Sequence, residues 1–127
     1  MINRPLISVL LLALAIGIGL FSLNYIERNC TEMIDLLDMT IEASQSNVST
    51  VVQSKLDETV NKWEKIKPVL NLIVGQGDTN EIRKNLNIAI FFYYYGDTDS
   101  MVLYIEECKM ALNKIIASNE PTITTIL

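Results

Sequence analysis

The chain has 127 residues, half of them hydrophobic, with 10 basic and 15 acidic side chains and a formal net charge of −5. That length accommodates one modest domain plus a short appendage, and the acidic balance argues against a phosphate-backbone partner, so no nucleic acid is expected. Histidine is absent, which removes the commonest general base and the commonest metal ligand.

Apolar residues are concentrated at the start. From Pro5 to Ile26 no side chain is charged. At about 1.5 Å per helical residue, this span covers the roughly 30 Å of a bilayer core. Its few polar residues, Ser8, Ser22 and Asn24, form no stripe, and Tyr25 falls where an amphipathic ring suits the interface. The segment therefore reads as a transmembrane anchor within residues 1–28. The rival reading is a signal peptide, with secretion after cleavage. A cleavage site needs small residues after a shorter apolar run, and here apolar residues continue past Gly17-Ile18-Gly19. Arg4 and the terminal amine precede the span, whereas Arg28 follows it beside Glu27. The positive-inside rule then puts the N-terminus in the cytoplasm and the remaining domain outside.

Residues 29–120 carry helical periodicity throughout. Cys30, Met33, Leu37 and Ile41 step by three and four, with Glu32, Asp35, Asp38 and Glu42 on a solvated acidic side. No Pro or Gly separates this helix from the membrane span. The polar stretch Ser44–Ser49 breaks the pattern, and Thr50 with Gln53 has the form of a capping box. The second helix carries Val52, Leu56, Val60, Trp63, Ile66 and Leu70, with Lys62, Lys65 and Lys67 alternating with Glu64 as a solvated face, a lipid-headgroup contact being the alternative. Trp63 is expected in the core. Pro68 is expected to kink this helix or start a new one, because it lacks an N–H and clashes with the preceding turn. Gly75 can supply a left-handed cap. Asp78 with Glu81 offers the next helix start.

The third helix carries Ile82, Leu86, Ala89 and Tyr93 and ends in the run Phe91-Phe92-Tyr93-Tyr94-Tyr95. A helix turns about 100° per residue, so five adjacent rings cannot all face one core. Phe91, Phe92, Tyr94 and Tyr95 are the candidate partner-contact residues. Gly96 to Asp99 is a tight connection. Asp97-x-Asp99 lacks the further ligands of a calcium loop and reads as turn and cap chemistry. The last helix shows Met101, Ile105, Cys108, Leu112 and Ile115. Pro121 is expected to stop it, leaving residues 121–127 as an apolar tail. Short turns near Ser46 and Asp97 imply two helix hairpins. The fold class is therefore all-α, an N-terminal transmembrane helix followed by an antiparallel bundle of about four helices. Outside the cytoplasm a disulfide is chemically allowed, but the sequence leaves the pairing of Cys30 and Cys108 open.

The apolar first segment, the phrase Val60-Asn61-Lys62-Trp63-Glu64-Lys65-Ile66-Lys67, the apolar run from Val69 to Val74 and the helix start Asn80-Glu81-Ile82 carry a resemblance. The layout resembles the bacterial domain-of-unknown-function family 4363, small anchored helical proteins of Gram-positive bacteria. The resemblance implies location and fold and no activity. In that family an acidic or histidine-containing segment follows the long helix, and here Gly75 to Asp78 stands in its place.

No nucleophile–base–orienter set, phosphate loop or metal-ligand cluster is visible, so neither catalysis nor a cofactor is expected. The expected function is an interaction or accessory module for an envelope protein partner. The alternative is a ligand-sensing helical domain acting with a separate output subunit.

Overall fold

The structure, a computed structural model, describes the backbone of residues 4–126 and side chains as far as residue 118. It is all-α, and no strand occurs among the described residues. Four helices follow one another: α1 Arg4–Gln45, α2 Ser49–Val74, α3 Gln76–Tyr95 and α4 Thr98–Ile126. With its one proline, Pro5, in the first turn where the missing N–H costs nothing, α1 is 42 residues long. The candidate anchor and the first bundle helix are thus one continuous element.

The core follows a seven-residue rhythm. In α1 the seam is Ile26, Cys30, Met33, Leu37, Thr40 and Ser44, with Asn29 and Ala43 buried beside it; in α2 the buried positions are Val52, Leu56, Thr59, Trp63, Ile66 and Leu70. In α4 Met101, Ile105, Cys108, Leu112 and Ile115 are buried. Alternate steps of four and three keep a narrow seam facing one partner along each helix. This moves the seam off two expected positions. Thr40 and Thr59 are fully buried, whereas their neighbours Ile41 and Val60 are only half-buried. Each threonine hydroxyl donates to the carbonyl four residues back, Thr40 to Leu36 at 2.9 Å and Thr59 to Lys55 at 2.7 Å. With its hydrogen bond satisfied in the helix, a threonine buries at little polar cost. The shorter α3 buries Thr79, Ile82, Asn85, Leu86 and Ala89.

The helix ends depart from the expected capping. Position Val48 caps α2 with no side-chain hydrogen bond, so Thr50 and Gln53 form no capping box. The turn before it is made instead by Asn47 at φ 58°, a left-handed conformation that asparagine tolerates. Only Gly75 separates α2 from α3, and its φ of 89° and ψ of 167° are not a left-handed helical cap. Helix α3 therefore starts at Gln76, before the expected Asp78, which sits in the first turn where a carboxylate favours the helix dipole.

Proline breaks neither helix. Helix α2 runs through Pro68 to Val74 and α4 runs through Pro121 to Ile126. Proline removes one intrahelical bond, but its fixed φ is itself helical. The expected tail is thus helical in backbone to Ile126; its side chains lie outside the described residues.

The expected cap at Asp97 is present. Gly96 ends α3 in the left-handed conformation, φ 82° and ψ 10°, where its N–H meets the carbonyls of Phe92 and Tyr93. Asp97 then accepts from the Ser100 backbone N–H at 3.1 Å and the Ser100 hydroxyl at 2.7 Å. These bonds, hydroxyl first, hold the Asp97 carboxyl below its ordinary range. A carboxyl lowered by folding stabilises the fold above its unfolded pKa and loses that contribution as pH falls through its folded pKa. Asp97→Ala is accordingly expected to lower Tm at neutral pH. Its Tm and that of the native chain should converge in acid, below the ordinary carboxylate range near 4. Melts of both proteins followed by circular dichroism across that range check it; a difference that does not shrink refutes the cap's charge dependence.

Candidate functional site

Two of the stretches expected to be plain solvated faces instead tie helices together. Lys62 on α2 donates to Asn29 at 2.8 Å and pairs with Glu32, both on α1. Lys109 on α4 pairs with Asp38 at 2.5 Å. Half of the acidic side of α1 is therefore engaged by lysines of two other helices, while Asp35 and Glu42 remain exposed. The Lys62 bond holds the Glu32 carboxyl down and the Asp38 bond holds the Lys109 ammonium up. Helical spacing alone could not separate the engaged carboxylates from the free ones, because the selection depends on which turn of the partner helix carries a lysine.

Both cysteines are free and buried. Burial pushes the Cys30 thiol up to about 11. Burial, with Glu107 nearby, pushes Cys108 to about 12. Neither thiol is a nucleophile in that state. Among the described residues no group of three or more His, Cys, Asp or Glu side chains could hold a metal ion.

What the fold does present is an aromatic surface at the end of α3. Phe91 is 60%, Tyr94 70% and Tyr95 77% exposed. Phe91 stacks on Tyr95 with ring centres 5.7 Å apart, so the two form one plate. Phe92, edge-on to Phe91 at 5.4 Å, is half-buried and stacked on Tyr104 at 5.7 Å. Of the four candidate contact residues, then, Phe91, Tyr94 and Tyr95 share the exposed surface and Phe92 packs against the core. Tyr93, on the intervening turn, directs its hydroxyl to the Ser49 carbonyl and to Gln53 on α2, both at 3.4 Å.

Tyr93 and Tyr94 also line an open groove of about 410 Å³ between α2 and α3, with Gln53, Leu56, Asp57, Val60, Asn61 and Ile90. The α2 contribution escaped sequence reasoning. Its signal was present in the spacing of Gln53, Asp57 and Asn61, four residues apart and so on one face. These uncharged and acidic groups border apolar Leu56 and Val60, giving a groove that can hold an apolar side chain and hydrogen-bond beside it.

No protein-family model, no curated protein and no solved structure matches the chain.

Proposed function

We propose that this chain is a single-pass membrane protein whose residues 5–26 cross the bilayer, carrying an antiparallel four-helix bundle outside the cytoplasm that serves as a non-catalytic interaction module for an envelope protein. The observation that carries the reading is the first half of α1. Every residue from Arg4 to Phe21 is exposed, among them Leu6, Val9, Leu10, Leu11, Leu12 and Leu14. The buried face begins only at Ile26. It is the one helix, among the described residues, long and apolar enough to span a membrane. An apolar surface of this extent calls for an apolar solvent, and a helix satisfies its own backbone there.

Cross-helix bonds support the antiparallel arrangement. Starting from the turn at Ser46 to Val48, Ser49 of α2 is near Tyr93, while Lys62 is already back beside Asn29 and Glu32. The orientation rests on Arg4 before the span, against Arg28 offset by Glu27 after it.

Phe91, Tyr94 and Tyr95 are the partner surface. Rigid, amphipathic rings in a cluster are the side chains that dominate protein interfaces. Replacing both Tyr94 and Tyr95 by serine should leave helicity and Tm close to native, because both rings are solvated. The same change should lower retention of the native partner about tenfold or more in pull-downs from detergent-solubilised membranes. Unchanged retention would refute the assignment of this surface. The groove beside it favours a second reading, a ligand sensor working through a separate output subunit, since it sets polar Gln53, Asp57 and Asn61 beside apolar Leu56, Val60 and Ile90.

A further inference from the structure

We propose that the groove between α2 and α3 is a site for a small organic ammonium ion, with the Tyr93 and Tyr94 rings against the cation's carbon groups and the Asp57 carboxylate as its counter-ion. The inference deepens the ligand-sensing reading of this groove and is independent of the anchor. Three observations carry it.

The first is the aromatic wall. Tyr93 and Tyr94 both line the groove. Their ring centres are 5.2 Å apart and their planes are inclined at 71°, the edge of one toward the other. Tyr93 is half-buried and fixed in place, since its hydroxyl meets the Ser49 carbonyl and Gln53 on α2. Tyr94 beside it is exposed. The face of such a ring attracts a cation lying within about 6 Å of its centre, and aromatic rings set at an angle are the usual surroundings of a bound alkylammonium group.

The second is charge. Asp57 is the one charged residue among those lining the groove. It makes no ion pair among the described residues. One turn away on α2, Gln53, Ser54, Val60 and Asn61 are all uncharged. The neighbouring cations are engaged elsewhere: Lys55 pairs with Glu58 at 3.4 Å, and Lys62 bonds to Asn29 and Glu32 on α1. On α3 the nearest cations, Lys84 and Arg83, precede Ile90 by six and seven residues, about 9–10 Å along the axis. An exposed aspartate by itself is ordinary. This one borders two tyrosines and an apolar floor with no cation of the chain to neutralise it, and so favours a positive ligand.

The third is shape. Leu56 is buried and Val60 and Ile90 are half-buried, so the floor of the groove is apolar. The lining runs from Gln53 to Asn61 on α2, about 12 Å at the helical rise. The Tyr93 hydroxyl, meeting Gln53, closes one end. A short trough with an apolar floor and one closed end suits an ammonium group on a short hydrocarbon arm better than a peptide chain that must continue past it.

The test uses the full chain in maltoside micelles, which carry no ammonium group. It is titrated calorimetrically with choline and with choline's uncharged isostere, in which a tert-butyl group replaces trimethylammonium. Choline is expected to bind about tenfold or more tightly than the isostere. Asp57→Asn should weaken choline binding about tenfold and Tyr94→Leu about fivefold. Both side chains are exposed, so helicity by circular dichroism should stay native. Equal binding of choline and the isostere, unchanged by Asp57→Asn, overturns the cation site and leaves a ligand groove standing. Choline binding that ignores both substitutions overturns the location. A lysine-containing peptide that binds about tenfold more tightly than choline overturns the small ligand in favour of a protein side chain. No binding of any of the three overturns the cation site and the ligand-sensing reading together.

Discussion

Trp63→Ala is expected to destabilise the bundle by about 3–5 kcal/mol, the largest loss of any single core substitution in this chain. The side chain is only 2% exposed and is the largest in the core. Its loss leaves a cavity that the close-packed side chains around it cannot easily fill. Against a total stability of roughly 5–15 kcal/mol, such a loss leaves a substantial unfolded population. The indole Nε1 has no hydrogen-bond partner among the described residues. An unpaired buried donor costs about 1–3 kcal/mol. Trp63→Phe removes that donor together with part of the volume, so the two effects oppose each other. It is expected within about 1.5 kcal/mol of the native chain. Urea unfolding in nanodiscs, followed by circular dichroism because the only tryptophan is being replaced, measures both. A phenylalanine variant as unstable as the alanine variant would mean that the indole N–H has a partner in solution.

The second large effect concerns the anchor. Leu12→Arg combined with Ile16→Arg puts two cations near the middle of the span, on one face of α1 and about 6 Å apart along the axis. Each arginine at a helix centre opposes insertion by about 3 kcal/mol. The double variant should move from the alkali-resistant membrane fraction to the soluble fraction. Both positions are exposed and distant from the core, which begins at Ile26. The bundle should therefore keep its native Tm. Retention of the double variant in alkali-washed membranes would refute the role of residues 5–26. A lowered Tm would mean that this half of α1 contributes to the core.

The two halves of α1 differ in how legible they are. The exposed half is recognisable from the uninterrupted apolar run, which carries no polar stripe that a core helix would show. The core faces were legible wherever large apolar residues step by four and three, and all five expected positions of α4 are buried. They were less legible where a small polar residue takes the seam. Thr40 and Thr59 bury because a local hydrogen bond satisfies them, a fact of backbone geometry that hydropathy does not register.

Capping was legible at Asp97, where a short side chain precedes a serine at the right distance, and misleading at Thr50 and Asp78. Asn47 and Gly75 turn the chain earlier, through positive φ, and so pre-empt both boxes. Among the aromatics, the alternation of faces foretold that some rings would be exposed. Which rings those are depends on α4, since Tyr104 captures Phe92. The groove between α2 and α3 required the fold, because its residues come from helices whose relative placement no local pattern encodes.

The location of the bundle is the claim from which the rest follows, and one labelling experiment tests it most directly. Cys30 and Cys108 are buried, with thiols raised to about 11 and 12, so the native chain should be silent to a membrane-impermeant maleimide. Ser46, exposed in the turn between α1 and α2 and remote from the span, is the place for a reporter. Ser46→Cys in intact cells should react without lysis, reporting a bundle outside the cytoplasm on an uncleaved anchor that remains with the membrane. Reaction only after lysis would put the bundle in the cytoplasm and contradict the orientation read from Arg4.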